Sequence, residues 1–506
     1  MKKLILSFFM VVISTAGLSV INVQAQTDSS AKAIPEAKQS VTQHTVTVDG
    51  EEIEYTATAG TMILKNNKGE PVASFGYTAY SKNGVEDKST RPLTFSYNGG
   101  PGSSSLWLHM GVMGPRRVVV DDPNSTPPAP YELTDNQYSM LDATDIVMVD
   151  PVGTGVSRAI GKAENKDFWG LSQDVRSVSN FIKTYISENN RWNSPKYLLG
   201  ESYGTTRSAG IVDHLQEQGI AMNGVVLVST VLDLRTISFG DADFTPYVVY
   251  LPTYAAVAEY HGELSHSPES LEAFIEDARQ FASTEYTEAL MKGEELSEAR
   301  RNEIINRLSY FTGLSKDYLD KANMRVTQSE FTKQLLREKG KTVGRLDSRY
   351  KGYSLDNLSQ NAIYDPQSSA ISPAYTTMFL QYYHNELEFG KDMQYNISAY
   401  SLPGFEWDWS RPGSYFPTSP TTAPDLADAM VKNPNLEVLV LNGYYDLATP
   451  FMGAEYTMDH LEIPSELEEN ISMEYYKAGH MMYIHKPSLK KMHDDVERFI
   501  QQTGQN

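Results

Sequence analysis

The sequence predicts an α/β fold in which a mostly parallel sheet carries helices on both faces. Buried strands and amphipathic helices alternate along residues 146–229, which is the pattern of βαβ units. Within this stretch an apolar run at 197–199 leads into the motif Gly200-Glu-Ser-Tyr-Gly204, and apolar residues then recur at helical spacing as far as Gly219. Two further strand patterns, at 436–441 and 472–476, indicate that the sheet resumes near the C-terminus.

The G-x-S-x-G motif around Ser202 has the strand–turn–helix setting of a nucleophile elbow. Its two glycines let backbone segments pass where a Cβ atom would clash, so the serine hydroxyl would stand clear of the sheet. The N-terminus of the following helix favours developing negative charge. Taken alone, the motif also fits a glycine-rich turn with no chemistry, so the rest of the chain has to decide between these interpretations.

Two other glycine-rich loops follow predicted strands. The loop Asn98-Gly-Gly-Pro-Gly-Ser-Ser-Ser105 lies upstream of the elbow, where hydrolases of this architecture place an oxyanion hole; a tight turn is the alternative. A phosphate-binding loop is excluded because no Gly-Lys-Ser/Thr follows. The loop Asp150-Pro-Val-Gly-Thr-Gly-Val-Ser157 comes at the C-terminal end of a buried strand, the edge at which open α/β sheets bind ligands.

Asp446 and His480 each follow the C-terminal end of a predicted strand. The chain order Ser202, Asp446, His480 is the order expected on the α/β-hydrolase fold. In that arrangement His480 would take the proton of Ser202, and Asp446 would orient the imidazole ring. Singly, Asp446 could be a turn former and His480 a surface group. A metal site at His480 and His485 is a poor alternative, because no further ligand stands at a helical metal-binding spacing.

Composition narrows the class of protein. The 506 residues include 40% hydrophobic and 21% charged residues, which is typical of a soluble globular protein. The formal net charge of −21 argues against nucleic acid as a partner. The chain has no cysteine, which excludes disulfides, thiolate metal sites, a cysteine nucleophile and lipoprotein acylation.

Residues 1–25 have the features of a secretory signal peptide. Lys2 and Lys3 precede a largely apolar stretch, and Val23-Gln-Ala25 supplies small residues for cleavage after Ala25. An uncleaved anchor is the alternative, since the apolar stretch is nearly long enough to span a bilayer, but polar residues interrupt it. We therefore expect a periplasmic or secreted protein that has no membrane association after cleavage and begins with a flexible leader at 26–42.

The remainder divides into two core parts and an insertion. Residues 43–234 and 431–506 carry the strand patterns, and the first part opens with a β-meander of short strands. Residues 235–430 are predicted to be mainly helical and to form a cap over the active site; an independent domain is the alternative. Helix starts are predicted at Ser267 with Pro268 in the first turn, at Ser297, and at the capping box Thr327-x-x-Glu330.

These segments together resemble the serine carboxypeptidases, peptidase family S10. The resemblance rests on the loop at 98–105, on Gly200-Glu-Ser-Tyr-Gly204, on Gly443-Tyr-Tyr-Asp-Leu-Ala-Thr-Pro450 and on Ala478-Gly-His-Met481, with the loop at 150–157 also similar. It covers about residues 90 to 485, and the absence of cysteine makes the loops look like those of the bacterial branch.

The resemblance implies further site residues. Asn98, Gly99 and Glu201 would hold the C-terminal carboxylate of the substrate, and the backbone amides of Gly100 and Tyr203 would form the oxyanion hole. A carboxyl group that faces a carboxylate must be protonated to donate a hydrogen bond, so the resemblance implies activity favoured at acidic pH.

Three positions depart from the family pattern: Ser96 stands where many relatives have tryptophan, Ser103 where a cysteine is usual, and Gly204 where alanine is usual. The first weakens the transfer of the carboxylate site in detail, and the second removes a disulfide.

The function that this resemblance implies is a serine-type carboxypeptidase acting on peptide substrates through an acyl-enzyme, with no cofactor and no metal. An esterase or acyltransferase on the same scaffold is the alternative. A non-catalytic binding protein is a third class, which would normally show a lost serine, histidine or oxyanion glycine. The sequence does not indicate the residue preference beside the scissile bond or the oligomeric state.

Overall fold

The computed structural model describes residues 32–240, 243–411 and 419–504. The predicted signal peptide and residues 26–31 of the predicted leader lie outside the described residues. The strands are β1 Gln39–Val48, β2 Glu51–Lys65, β3 Pro71–Lys82, β4 Leu93–Tyr97, β5 Arg116–Val118, β6 Leu133–Asp135, β7 Asp145–Asp150, β8 Arg158–Ala159, β9 Lys196–Glu201, β10 Gly224–Val228, β11 Lys341–Val343, β12 Lys351–Tyr353, β13 Glu437–Gly443 and β14 Ile471–Tyr476. The α-helices are α1 Leu106–Leu108, α2 Leu171–Glu188, α3 Tyr203–Glu217, α4 Thr245–Tyr260, α5 Leu271–Phe281, α6 Thr287–Lys292, α7 Glu298–Thr312, α8 Lys316–Lys321, α9 Gln328–Gln334, α10 Pro366–Asn385, α11 Ala423–Lys432, α12 Phe451–Met458, α13 Ser465–Glu468 and α14 Lys486–Thr503.

One large sheet organises the molecule, with strand order β1-β2-β3-β7-β4-β9-β10-β13-β14 and β8 paired to β3. From β7 to β14 all neighbouring strands are parallel, whereas β1, β2, β3 and β7 pair antiparallel. Strands β4, β7, β9 and β10 are buried along their whole length, as expected of parallel strands covered on both faces. The predicted mixed, mostly parallel sheet with helices on both faces is confirmed.

Two apolar layers cover the faces of this sheet. One contains buried residues of α10, α14 and the segment around α1, together with β1 and β2. The other contains buried residues of α2, α3 and α11. Because helices cover both faces of the sheet, a functional site is expected at the polar loops that follow the C-terminal ends of the parallel strands.

The opening of the chain differs from the prediction in two respects. Where short strands are predicted, the 15 residues of β2 form one long strand that runs through Gly60. Strand β1 begins at Gln39, so residues 39–42, predicted as the end of a flexible leader, pair with residues 57–60 of β2. Their alternating pattern is short and polar, which is why composition alone suggested a leader.

The predicted insertion has two kinds of helix. Helices α4 to α9 build an apolar cluster of their own, which also includes Phe451 at the start of α12. Helices α10 and α11 instead pack on the two faces of the sheet, so most of the segment at 423–430, predicted as cap, joins the core layer. The sequence could not predict this packing, because α10 and α11 are far along the chain from the other helices on the sheet and such distant contacts leave no local pattern.

Helix starts were predicted with mixed success. Ser297 caps α7, as predicted, and Gly313 ends this helix in a left-handed conformation; the predicted capping box at Thr327 is also present. The predicted start at Ser267 is wrong, because α5 begins at Leu271 and the Ser270 hydroxyl caps it. Both serines precede the same apolar stripe, so the pattern could not choose between them.

None of the helices in the described part of the chain is long and apolar enough to cross a membrane.

Candidate active site

Ser202 lies in the sharp turn between β9 and α3. Its backbone has φ 61° and ψ −130°, a conformation that is unfavourable for a residue with a side chain and is typical of functional sites. The flanking glycines are required sterically. A Cβ atom on Gly200 would lie 2.2 Å from the carbonyl oxygen of Gly204, and one on Gly204 would lie 2.9 Å from that of Tyr97. The predicted nucleophile elbow is therefore present.

Asp446 and His480 form a buried pair at the ends of β13 and β14. The Nδ1 atom of His480 lies 2.8 Å from the Oδ2 atom of Asp446, and Asp446 also accepts hydrogen bonds from the amides of Ala448 at 2.7 Å and Thr449 at 3.0 Å. The Thr449 hydroxyl donates to the same carboxylate at 2.7 Å. With Nδ1 engaged, the ring's Nε2 atom is left as the proton acceptor.

Parallel strands bring these residues to one place. Strands β9, β13 and β14 end at the same edge of the sheet, so Ser202 and His480 line a common cavity of about 400 Å³. No hydrogen bond joins the Ser202 hydroxyl to the imidazole among the described residues. Such bonds are often long before substrate binds.

The electrostatics of His480 favour its charged form. Burial works to lower the pKa of the ring, but the charge and hydrogen bond of Asp446, with a further contribution from the charge of Glu201, raise the pKa above its usual value. A charged imidazole is what forms when the ring accepts the serine proton, so Asp446 stabilises that state.

The glycine-rich loop at 98–105 packs directly on the elbow. A Cβ atom on Gly99 would lie 2.5 Å from the amide nitrogens of both Tyr203 and Gly204, so only glycine allows this approach. Gly100 has φ +107°, which also favours glycine. The amides of Gly100 and Tyr203 donate to no other group in the described structure, which leaves them available to an oxyanion.

Asp150 fixes the far end of that loop. The Ser105 amide donates to its Oδ1 atom at 2.8 Å and the Tyr395 hydroxyl to its Oδ2 atom at 2.9 Å. Burial raises the pKa of Asp150 to about 6, although both hydrogen bonds act against the rise. The loop at 150–157, predicted to lie at the ligand edge, thus supports the loop at 98–105 from behind.

Glu201 and Asn98 form the third part of the site. The Asn98 amide donates to the Oε1 atom of Glu201 at 2.7 Å. The Oε2 atom is buried and makes no hydrogen bond among the described residues, and the hydroxyl of the neighbouring Tyr483 is likewise without one. Burial raises the pKa of Glu201, and this outweighs the opposing effects of His480, Tyr483 and Asn98. The carboxyl group is thus held in its neutral, donating form to a higher pH than an exposed glutamate.

An ion pair beneath the elbow was missed by sequence reasoning. Arg207 donates from Nε to Asp174 at 2.7 Å and from Nη1 to the carbonyl oxygen of Asn98 at 2.8 Å; its side chain is fully buried. The Tyr203 hydroxyl also donates to Asp174, at 3.1 Å. The sequence does place Tyr203 and Arg207 four positions apart on a predicted helix, so that both side chains lie on the same face.

The segment at 345–349 was also missed, although it touches both catalytic loops. The Leu346 carbonyl accepts from the His480 amide at 2.6 Å, and Asp347 accepts from the Gly479 amide at 3.1 Å. On the other side, the Leu447 amide donates to the Arg345 carbonyl at 3.0 Å. The insertion therefore braces the loops of Asp446 and His480.

The same insertion supplies one wall of the cavity, though not from the helices expected. This wall is lined by Arg345, Leu346, the first turns of α10, Ile397, Ser398 and Tyr400. None of α4 to α9 is among the lining residues of the described structure. These helices instead pack behind the loop of Asp446, through Tyr445 and Leu447.

Ser96, which replaces the family's tryptophan, is fully buried in β4. Its hydroxyl has no hydrogen-bond partner in the described part of the chain. It lies outside the lining of the cavity, which Trp107 and Met481 contribute to instead.

The fold and this edge of the sheet define an α/β hydrolase with an elbow serine and a buried histidine–aspartate pair. The chain belongs to the serine carboxypeptidases, peptidase family S10, whose family model matches residues 56–493. It is similar to serine carboxypeptidase-like 29 of Arabidopsis thaliana, with 29% identity over 162 residues, and to the retinoid-inducible serine carboxypeptidase of Homo sapiens, with 30% identity over 141 residues.

These alignments cover 29% and 27% of this chain, and 31% and 28% of the two relatives, so the chain matches about a third of their length. Among solved structures, it is similar to Kex1(Δ)p, a prohormone-processing carboxypeptidase from Saccharomyces cerevisiae. The TM-score is 0.53 and the identity 16%, over 88% of this chain and 92% of that one. This similarity shows the shared fold. Placement in the bacterial branch stays a prediction.

Proposed function

We propose that the protein is a serine-type carboxypeptidase that removes the last residue of peptides. The observation that carries the proposal is the buried Glu201 carboxyl, whose Oε2 atom lacks a partner and which lines the same cavity as Ser202 and His480. A general esterase has no need of a carboxyl group beside its nucleophile. A site for a substrate that ends in a carboxylate does, because a neutral carboxyl can donate a hydrogen bond to that carboxylate.

The proposed chemistry has two halves. The Ser202 Oγ atom attacks the carbonyl carbon of the last peptide bond while His480 accepts the hydroxyl proton. The oxyanion is held by the amides of Gly100 and Tyr203. When the intermediate collapses, His480 gives the proton to the departing amine, and the acyl group stays on Ser202. Water then attacks this ester, again with His480 as base, and releases the shortened peptide.

In this proposal Asn98, Gly99 and Glu201 hold the substrate's terminal carboxylate. An ionised Glu201 would repel that carboxylate, so binding requires its proton. The raised pKa of Glu201 extends the working range above that of an ordinary glutamate, and activity on peptides then falls as pH rises through that pKa.

The test compares four reactions between about pH 4 and 8, a range that spans the ordinary pKa values of glutamate and histidine. The substrates are a blocked dipeptide with a free C-terminal carboxylate, the C-terminal amide of the same dipeptide, and a simple ester; the fourth reaction is the free acid with Ser202→Ala. We expect acid-favoured release of the last amino acid from the free acid only. Ser202→Ala should lower kcat by about 10⁴-fold or more, since the acyl-enzyme cannot form.

Ester turnover without any peptide cleavage would contradict the proposal and would move the protein to the esterase or acyltransferase class. Equal cleavage of the free acid and the amide would show that the carboxylate is not bound. Folding of Ser202→Ala is checked by circular dichroism.

We further propose that the protein is exported to the periplasm or secreted. The support is the N-terminal sequence alone, and N-terminal sequencing of the mature protein tests it. A mature chain that begins at Gln26 is expected.

A further inference from the structure

Arg345 places a positive charge in the wall of the active-site cavity. It lines that cavity together with Ser202, His480 and Tyr400, and its side chain is exposed to solvent. Its charge acts on both neighbours. It works against protonation of His480, and it opposes the rise that burial causes in the pKa of Tyr400. The guanidinium therefore lies close to where a substrate would be cleaved.

The backbone of Arg345 is fixed. Its amide donates to the Oδ2 atom of Asp365 at 2.6 Å, and the amide of Leu346 donates to the same atom at 3.1 Å. Its carbonyl accepts from the Leu447 amide at 3.0 Å. Asp365 is itself held as the N-cap of α10. These hydrogen bonds fix the Cα atom of Arg345 relative to the loop of Asp446 and to α10, which lines the cavity.

The guanidinium, in contrast, has no hydrogen bond and no ion pair within the described residues. Two other arginines near the site are paired with acids: Arg207 with Asp174, and Arg349 with Asp347 and Asp122. Asp365 uses both carboxylate oxygens for backbone amides. In a protein with a net charge of −21, an unpaired arginine in a substrate cavity is a ready partner for an anionic group from outside.

The substrate's terminal carboxylate already has a place at Asn98 and Glu201. Arg345 is therefore available to bind a second anionic group of the substrate. We propose that Arg345 determines specificity, selecting peptides that carry an acidic side chain on one of the two residues flanking the scissile bond. This inference rests on the proposed carboxypeptidase function.

The test uses two matched pairs of blocked dipeptides. In the first pair the acyl-side residue is Glu or Gln, and in the second pair the C-terminal residue is Glu or Gln. The two side chains have the same shape and differ in charge at about pH 5.5, where a free glutamate side chain is mostly ionised. At one of the two positions we expect kcat/KM for Glu to exceed that for Gln by about tenfold, which corresponds to about 1.4 kcal/mol.

Arg345→Gln should bring that ratio close to one, Arg345→Lys should retain part of it, and Arg345→Glu should invert it. The matched control is Arg176→Gln. Arg176 is an exposed arginine of α2 that lines a separate groove and has no ion pair among the described residues, so the ratio should stay at the wild-type value. Because each enzyme is judged by a ratio of two substrates, a variant with a reduced folded fraction still gives an answer.

Equal kcat/KM for Glu and Gln at both positions in the wild-type enzyme overturns the inference while leaving the carboxypeptidase function intact. So does a uniform loss on all four substrates in Arg345→Gln, which would mean that Arg345 holds the terminal carboxylate common to them. Cleavage of none of the four by the wild-type enzyme overturns the proposed function and the inference together.

Discussion

At the scale of single residues, the protonation of Glu201 decides what the site accepts. Glu201 is the last residue of the buried strand β9 and directly precedes the nucleophile, so it is held out of solvent and within reach of the reacting centre. Its Oε1 atom accepts a hydrogen bond from the Asn98 amide, and its Oε2 atom makes no hydrogen bond in the described structure. Leaving a buried oxygen unpaired costs free energy, and a substrate carboxylate that receives a hydrogen bond from it removes that cost.

The variant Glu201→Gln separates charge from hydrogen bonding. Gln can donate a hydrogen bond to a carboxylate but cannot ionise. In the wild-type enzyme, kcat/KM on a free-acid dipeptide should fall as pH rises through the raised pKa of Glu201. In Glu201→Gln this decline should be absent, although the maximal rate is lower. The measurement is kcat/KM against pH for both enzymes.

A simple ester without a carboxylate serves as the control substrate, because its turnover should not depend on the Glu201 proton. A wild-type rate on the free acid that climbs steadily up to about pH 8, well above the usual pKa of glutamate, would contradict the role given to Glu201.

At the scale of structural elements, two backbone segments have to touch for the oxyanion site to exist. The loop at 98–105 presents the Gly100 amide, and the N-terminus of α3 presents the Tyr203 amide. Gly99 is the contact point, with the elbow backbone closer than any side chain allows. Arg207 holds the same loop from below through the Asn98 carbonyl.

Gly99→Ala should separate these segments while the fold persists. Its Cβ atom would lie 2.5 Å from two amide nitrogens, so the loop has to move by several tenths of an ångström. We expect kcat to fall by about 10²-fold, the effect of a misplaced or lost oxyanion donor. The measurement is kcat on an ester substrate, which reports the oxyanion site independently of the carboxylate site.

Gly240→Ala is the matched control, since a Cβ atom there would meet nothing within 4 Å; its kcat should equal that of the wild type. A Gly99→Ala enzyme with wild-type kcat would mean that the loop is not part of the reacting centre.

At the scale of the whole molecule, the C-terminal helix α14 packs on the face of the sheet opposite α2 and α3. It carries His493, whose Nε2 atom lies 2.9 Å from the Oδ2 atom of Asp142 in the segment before β7. Burial acts to lower the pKa of His493, but the hydrogen bond and charge of Asp142, with the hydrogen bond of Asp494 and the charge of Glu497, raise the pKa above its usual value.

This pair makes part of the stability depend on pH. A histidine whose pKa is raised by folding stabilises the fold below its unfolded pKa of about 6.5, and the contribution is lost as pH rises through the folded value. The cost of His493→Gln should therefore be larger at about pH 5.5 than at about pH 8.5, by about 1 kcal/mol, the net size of one typical hydrogen bond. Urea unfolding of both proteins at the two pH values measures it.

His214→Gln provides a control of opposite sign. Burial lowers the pKa of His214, so the histidine stabilises the fold less at low pH, and the cost of removing it should be smaller at the lower pH. A cost of His493→Gln that is the same at both pH values would show that the pair with Asp142 does not form in solution.

Several features can be read from the sequence alone: the fold class, the elbow at Ser202, the glycine-rich loop at 98–105, and the order of Ser202, Asp446 and His480. Each depends on local chemistry. A backbone that passes within 3 Å of another needs glycine, a buried parallel strand needs a continuous apolar run, and the site residues follow directly after such strands. Each of these requirements concerns residues that are close together in the sequence, so it can be recognised without a structure.

The distant residues that support this site become visible only in the folded chain. Arg207 and Asp174 meet across 33 positions, and the segment at 345–349 reaches the loops of Asp446 and His480 from about a hundred or more positions away. The packing of α10 and α11 on the sheet is of the same kind. Such contacts arise when the sheet brings remote segments to one edge, and because any charge or helix could take part in them, no local pattern marks the ones that do.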